Sequence, residues 1–132
     1  MAAIYRVKNW PILYEKAQAA KCKYTRWVPI PNKLDGAGYG AVAMHEKKCE
    51  LFTGWILIVE VASLMRPVRG TLWKDGRALT PKDLWLKTRF PEEIFTLAFD
   101  VFVGPEIDWM EIIDEAEVGV DWEAAGRALP PL

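Results

Sequence analysis

A chain of 132 residues, 52% hydrophobic and 27% charged, has the composition of one globular domain with its own core, which excludes a disordered protein. The longest apolar run, residues 55–59, is too short to cross a bilayer, and no signal-peptide pattern is present. We therefore predict a cytoplasmic protein without membrane contact. The net charge of −1 conceals an asymmetry: residues 1–89 hold 16 Lys/Arg and 7 Asp/Glu, whereas residues 90–132 hold 1 Arg and 11 Asp/Glu.

This asymmetry indicates nucleic-acid contact on one half and an acidic partner surface or tail on the other. The alternative is that the two halves pack together and neutralise each other. The seven Trp residues likewise allow two interpretations, a Trp-rich core or an exposed interaction face.

Few residues suited to catalysis or metal binding are present. The chain has one His, His45, one Ser, Ser63, and two Cys, Cys22 and Cys49, which lie far apart and outside any CxxC pattern. The sequence therefore contains few residues from which a Ser-His-Asp or Cys-His catalytic site could be built. The carboxylates of residues 106–117 do not match the spacing of an EF-hand loop. We predict a noncatalytic protein with no cofactor and no metal.

The first half of the chain predicts short strands and helices in alternation. Residues 4–7 alternate and are rich in β-formers, which indicates a strand, and residues 10–22 favour a helix. Residues 21–33 are basic and contain two Pro, which is typical of an edge strand or extended arm. Residues 35–40, Asp-Gly-Ala-Gly-Tyr-Gly, predict a flexible turn.

The longest predicted helix covers residues 45–66. Its apolar residues occur on nearly all sides, as expected of a helix at the centre of a domain, and Pro67 would end it. Residues 69–73 then predict a short strand. Residues 74–77, Lys-Asp-Gly-Arg, predict a tight turn.

Residues 79–102 predict a helix-turn-helix. Thr80 is a good N-cap, the following Pro suits the first helical position, and Asp83 stands where a capping box requires an acid. Pro91 starts the second helix, and Gly104 with the next Pro stops it.

Residues 107–113 and 118–122 predict a β-hairpin around a polar turn. The order helix, short strand, helix, turn, helix and hairpin is that of a winged helix. We therefore predict an α+β fold: a single winged-helix domain over residues 1–125 with an N-terminal strand–helix extension. Residues 126–132 would be a tail or the start of a linker.

Five segments carry a resemblance to a known family: YRVKNW near the start, WVPIPNK with the following DG and GY (27–39), GWILIVEVAS (54–63), RGTL (69–72), and EIFTLAFDVF with IDWMEI (93–112). Together they resemble the N-terminal domain of phage replication-initiation proteins, which are similar to the DnaD-like replisome organisers. The resemblance covers about residues 4–113. It implies a winged-helix domain with DNA or replisome contacts, often followed by a Pro-rich linker and a further region.

The second helix of the helix-turn-helix is acidic, which disfavours reading of the major groove. Glu92, Glu93 and Asp100 would repel the phosphates that line the groove. We therefore predict backbone contacts from basic residues elsewhere, with Tyr24 and Trp27 interleaved for stacking. The predicted DNA-binding residues are Lys82, Lys87, Arg89, Arg69, Lys74, Arg77, Lys23 and Arg26. Any one of them is equally compatible with an ordinary solvated surface charge.

The acidic half suggests a second function. Glu92, Glu93, Asp100 and Trp109 could dock a basic partner such as a replication protein. The alternative to DNA binding is thus a protein-only interaction domain, including an acidic inhibitor of a host nucleic-acid-binding enzyme. These acids could also simply keep the hairpin soluble. A homodimer is allowed by the sequence, which does not decide the oligomeric state.

Overall fold

The computed structural model describes residues 3–10, 14, 36–65 and 68–118. These residues form an α+β fold with four α-helices and two small antiparallel sheets. Its elements in chain order are β1 (Ile4–Val7), α1 (Ala37–Ala43), α2 (Lys48–Ser63), β2 (Trp73–Lys74), β3 (Arg77–Ala78), α3 (Pro81–Thr88), α4 (Glu92–Phe102), β4 (Met110–Ile113) and a 3-10 turn (Glu115–Glu117).

Helix α2 is the centre of the core, as its all-round apolar sequence predicts. Its buried residues include Leu51, Trp55, Ile58 and Val59, and helix α4 packs against it. The helix is shorter at both ends than the predicted span of 45–66. Gly54 brings the two helices close together, because a Cβ at this position would lie 2.9 Å from Cγ2 of Ile94.

Helix α1 corrects the prediction of a flexible turn at residues 35–40. Residues 37–40 belong to a helix that continues to Ala43. Glycine disfavours helix in isolation, so tertiary packing has to stabilise this element. The packing is visible at Gly38, where a Cβ would lie 2.4 Å from Nε1 of Trp109, and at Val42, which is buried in the core.

The larger sheet pairs the two ends of the described chain. Strand β1 runs antiparallel to β4, with Ile4 opposite Ile113 and Val7 opposite Met110. On its other edge, β1 bonds to the segment after α2: the Val7 N–H donates to Gly70 at 2.9 Å, and the Leu72 N–H donates to Tyr5 at 2.9 Å. Strand β1 is therefore the middle strand.

This pairing differs from the predicted hairpin of residues 107–113 with residues 118–122. The strand is present, as Met110–Ile113, but its partner among the described residues is β1. The next residues form the 3-10 turn Glu115–Glu117. The expected return strand lies outside the described residues beyond Val118.

The smaller sheet is the β2–β3 hairpin, and its tight turn confirms the prediction for residues 74–77. Asp75 and Gly76 both have positive φ, 54° and 74°. Two successive positive φ values are typical of the hairpin turn that follows the right-handed twist of its strands. The strand predicted at 69–73 is reduced to Trp73–Lys74, with a single bridge between Thr71 and Arg6.

The predicted pair of helices at residues 79–102 is confirmed as α3 and α4, which pack against each other. Leu84 of α3 and Phe95, Phe99 and Phe102 of α4 are buried.

Several predictions lie mostly or wholly outside the described residues: the helix at 10–22, the basic arm at 21–33, the domain end at 125 and the tail at 126–132. Two residues of the predicted first helix are described. The Tyr14 N–H donates to the Trp10 carbonyl at 2.9 Å, and both side chains are buried.

Candidate nucleic-acid interface

The first turn of α3 is held by the capping box that the sequence predicts. The Asp83 carboxylate accepts from the Thr80 N–H at 2.7 Å, and the Asp83 N–H donates to Thr80 Oγ1 at 3.3 Å. Arg77 of β3 adds a bidentate ion pair to the same carboxylate, at 2.9 and 3.0 Å. This guanidinium holds the pKa of Asp83 well below its usual range. The pair therefore ties the β2–β3 hairpin to α3.

The corner between α3 and α4 is built from three consecutive residues. Thr88 Oγ1 donates to the Leu84 carbonyl at 2.7 Å and accepts from the Phe90 N–H at 3.2 Å. Arg89 ends the helix with φ 67°, and its N–H donates to Trp85 at 2.7 Å. A left-handed residue at this position is usually Gly, so Arg89 adopts a strained backbone in order to turn the chain.

Five cations of the hairpin and α3 make up what we call the cationic face: Lys74, Arg77, Lys82, Lys87 and Arg89. Lys74, Lys82, Lys87 and Arg89 are exposed, and none of these four side chains forms a salt bridge within the described parts of the chain. Arg77 is exposed too, but it is committed to Asp83.

Lys74 and Lys87 are neighbours in space although they belong to different elements. Lys74 lies opposite Arg77 in the hairpin, and Lys87 is one helical turn after Asp83, the residue that Arg77 holds. Partial burial, and then the neighbouring ammonium of Lys74, lower the pKa of Lys87, against the opposing effect of Asp83. Two adjacent ammonium groups would each gain from a bound anion.

Of the other predicted DNA-binding residues, the structure describes Arg69. Arg69 is only 6% exposed and therefore has little surface to offer a phosphate. Lys23 and Arg26 lie outside the described residues.

Three large apolar side chains lie exposed beside these cations: Trp85 at 42%, Leu86 at 62% and Phe90 at 42%. We call them the corner patch. The sequence leaves open whether the Trp residues are buried or exposed, and Leu86 and Phe90 were not identified from it as surface residues. Helical spacing could have revealed the surface, because residues 82, 85, 86 and 89 share one face while Leu84 faces the core.

The acidic residues predicted to bind a partner are exposed on α4. Glu92, Glu93 and Asp100 form no ion pair with any described residue. Residues 90–118 carry nine Asp/Glu and no Lys or Arg. Two of these nine are paired with the N-terminal strand region: Glu111 with Arg6, and Asp108 with Lys8 at 2.8 Å.

Trp109, the fourth predicted partner-binding residue, belongs to the aromatic part of the core. Its ring stacks on Phe102 with centroids 5.4 Å apart and lies 5.0 Å from the ring of Trp55. The residue is only partly exposed, because its ring packs against the core.

Within residues 3–10, 14, 36–65 and 68–118, the structure contains no group of three or more His, Cys, Asp or Glu side chains that could hold a metal ion. No helix in the same part of the chain is long and apolar enough to span a membrane.

Comparisons with known proteins give no relative: no protein-family model matches the chain, and no curated protein and no solved structure is significantly similar to it. The resemblance to phage replication-initiation proteins remains a prediction that rests on the sequence segments themselves.

Proposed function

We propose that this chain is a noncatalytic DNA-transaction module of the phage replication type, which holds the DNA backbone against α3 and the β2–β3 hairpin. The observation that carries the proposal is the group of exposed cations on the cationic face that form no salt bridge with described residues, above all the adjacent Lys74 and Lys87. Phosphate contacts by Lys and Arg supply most of the affinity of such proteins, through release of counterions.

The proposed fold is a variant of the winged helix. Helices α2, α3 and α4 and then β4 follow one another in the order of such a domain. The strand beside β4 comes from the N-terminus of the chain, where a winged helix would use the second strand of its hairpin. The two halves of the helix-turn-helix would then have different tasks.

In this proposal α4 does not enter the major groove. Its exposed surface carries Glu92, Glu93 and Asp100, and three carboxylates facing two rows of phosphates would repel them. Helix α3 and the hairpin contact the backbone from the side, and α4 faces away.

A salt titration with charge-reversed variants tests the proposal. Fluorescence anisotropy of a labelled ~25-base duplex and of the matching single strand is measured at ~50 and ~200 mM salt. If four phosphates are contacted, affinity for the duplex should fall about 100-fold between these salts. Reversal of Lys74 and Lys87 in K74E/K87E should weaken binding at least about tenfold at the lower salt.

The matched control is K47E/K48E, which makes the same change in net charge at two exposed lysines next to the start of α2. This variant should retain most of the affinity. Equal losses in both variants would mean that only net charge matters, and absence of binding to either DNA at low salt would contradict the proposal outright.

A second candidate function is docking of a basic protein on the acidic surface of α4. The observation that favours it is the excess of acids over residues 90–118, of which seven are free of any ion pair with described residues. The surface would attract a Lys/Arg-rich segment, such as one on a replication protein, and would steer its approach.

Binding of a labelled Arg-rich peptide distinguishes the two candidates. If docking on α4 is the function, the triple variant E92Q/E93Q/D100N should bind the peptide at least about tenfold more weakly, while K74E/K87E should bind it no worse than the wild type. If DNA binding is the only function, E92Q/E93Q/D100N should change the affinity for the peptide little, and K74E/K87E should weaken binding of DNA.

A further inference from the structure

We propose that the corner patch stacks the unpaired bases of single-stranded DNA, with Trp85 and Phe90 as the stacking residues. This inference rests on the proposed function, because it places bases next to phosphates held by the cationic face. It extends the proposed function by specifying that the module prefers single-stranded DNA.

The first observation is that these two rings are separated from the aromatic core. Tyr5, Trp55, Phe99, Phe102 and Trp109 pair with one another in the interior. By contrast, Trp85 and Phe90 contact no other described ring, and each is 42% exposed. Large aromatic side chains left in water mark a surface that a partner covers.

The second observation is the charge around the rings. Lys82 lies one helical turn before Leu86, Arg89 directly precedes Phe90, and Lys87 follows Leu86. All three are exposed. Aromatic rings interleaved with cations are the surface that binds single strands, because the cations hold the backbone while the rings stack on bases.

The third observation is that hydrogen bonds hold the backbone of the corner. The Thr88 hydroxyl bonds to residues on both sides of the turn, and the Arg89 N–H closes on Trp85. The backbone of both stacking residues is therefore fixed before a ligand arrives, which reduces the entropy lost on binding.

A single strand fits these features better than a duplex. The faces of paired bases are covered by their neighbours in the stack, so an exposed ring can stack only on an unpaired base. In addition, Glu92 and Glu93 begin α4 two residues after Phe90. A single strand is narrow enough to pass on the α3 side alone and so avoids these carboxylates.

An abasic oligonucleotide separates stacking from phosphate contact. The probes are a labelled 12-base single strand, an abasic strand with the same number of phosphates, and the matching duplex, all at ~50 mM salt. The wild type should bind the normal strand at least about fivefold more tightly than the abasic strand. The duplex should bind more weakly than the normal single strand.

The variants W85A and F90A should each lower affinity for the normal strand at least about fivefold and leave affinity for the abasic strand unchanged. W85F should retain most of the binding, because it keeps a ring. L64A is the matched control, because Leu64 is an apolar residue outside the corner patch that is as exposed as Leu86, at 62%, and has no π-face. It should change affinity less than about twofold.

Equal binding of the normal and abasic strands by the wild type would overturn the inference and leave the proposed function standing. Absence of binding to all three probes would overturn both. A second copy of the chain is the remaining alternative occupant of the patch, and sedimentation of the wild type and W85A tests it. If W85A converts a dimer into a monomer without changing the ratio of normal to abasic affinity, the patch joins two copies and the inference is wrong.

Discussion

At the scale of single residues, Arg89 combines a strained backbone with an exposed charge. Its φ of 67° is one that Gly adopts without cost, whereas a residue with a Cβ loses about 1 kcal/mol or more. Gly would therefore serve the corner better. Under the proposed function, the charge at this position contacts DNA phosphates at the expense of stability.

Replacement of Arg89 by Gly should raise the free energy of unfolding by about 1 kcal/mol and weaken DNA binding. Urea denaturation and anisotropy measure the two effects. R89N is the matched control, because Asn tolerates the left-handed region but carries no charge, so it should show the same loss of binding with a smaller gain in stability. A loss of stability in R89G would show that the Arg89 side chain supports the fold.

Asp83 predicts a pH dependence of stability. Because Arg77 lowers the pKa of this carboxyl in the folded state, its contribution is complete above the unfolded pKa of about 3.9 and is lost as the pH falls below it. D83N should lose about 1 kcal/mol at pH 7 as the cap weakens. Urea denaturation at pH 7 and pH 3 should show the difference from the wild type shrinking at the lower pH.

The control for this titration is D100N, which removes an exposed carboxylate that has no ion-pair partner in the described structure. Its difference from the wild type should be small at both pH values. A D83N difference that stays constant between pH 7 and pH 3 would mean that the ionised carboxylate does not stabilise the fold.

At the scale of elements, those with local signals were predictable and those that depend on distant partners were not. The N-terminal cap of α3 and the Asp75-Gly76 turn each depend on residues that are close together in sequence, and both are present in the structure. Helix α1 was missed because its glycines oppose helix formation and its support comes from Trp109, far away in sequence. The partner of β4 was missed for the same reason, since Ile4 and Ile113 are not neighbours in any local pattern.

The close contact of α2 with α4 makes Gly54 sensitive to substitution. A Cβ there would lie 2.9 Å from Ile94 Cγ2 and 3.3 Å from Ala98 Cβ. Overpacking typically costs about 1–3 kcal/mol, while Ala improves helix propensity by about 1 kcal/mol. We therefore expect G54A to destabilise the protein by about 1 kcal/mol in urea denaturation.

Two variants check this interpretation. G40A adds the same methyl group to a helix where nothing lies within 4 Å, so it should stabilise the protein by about 0.5–1 kcal/mol. The double variant G54A/I94A should lose less than the sum of its two single variants, because Ile94 is the residue that the new methyl meets. If the losses of the two single variants simply add, the strain in G54A does not come from contact with Ile94.

At the scale of the whole molecule, the charge asymmetry falls between the adjacent helices α3 and α4. Removal of the α4 carboxylates in E92Q/E93Q should increase DNA affinity several-fold at ~50 mM salt, because repulsion of the phosphates falls. The gain should largely disappear above ~200 mM salt, where screening shortens the range of the repulsion. Anisotropy at both salts measures it.

The control is E46Q/E60Q, which neutralises two exposed acids outside α3 and α4. It should increase affinity less than E92Q/E93Q does. An equal increase would mean that DNA senses only the net charge.

The candidate site was predictable in its charge but not in its geometry. The basic residues of α3 and the hairpin were named from sequence, and the structure brings Lys74, Lys82, Lys87 and Arg89 to exposed positions on adjoining elements. Sequence could not show that Arg77 is committed to Asp83 or that Arg69 is buried. Both depend on how the hairpin folds back onto neighbouring elements.

The position of β1 as the middle strand sets an order of events during synthesis. A ribosome adds about 5–20 residues per second, so Ile4 is made roughly 5–20 s before its partner Ile113. In that interval the partner of β1 in the described structure that has already been synthesised is the segment around Gly70. In a chain whose synthesis is stalled just before Trp109, the Val7 amide should be protected from hydrogen exchange, because its acceptor Gly70 is present. The Lys8 amide should still exchange, because its acceptor Trp109 has not been made. Strand β1 is thus synthesised first but receives its last hydrogen-bond partner only when β4 has been made.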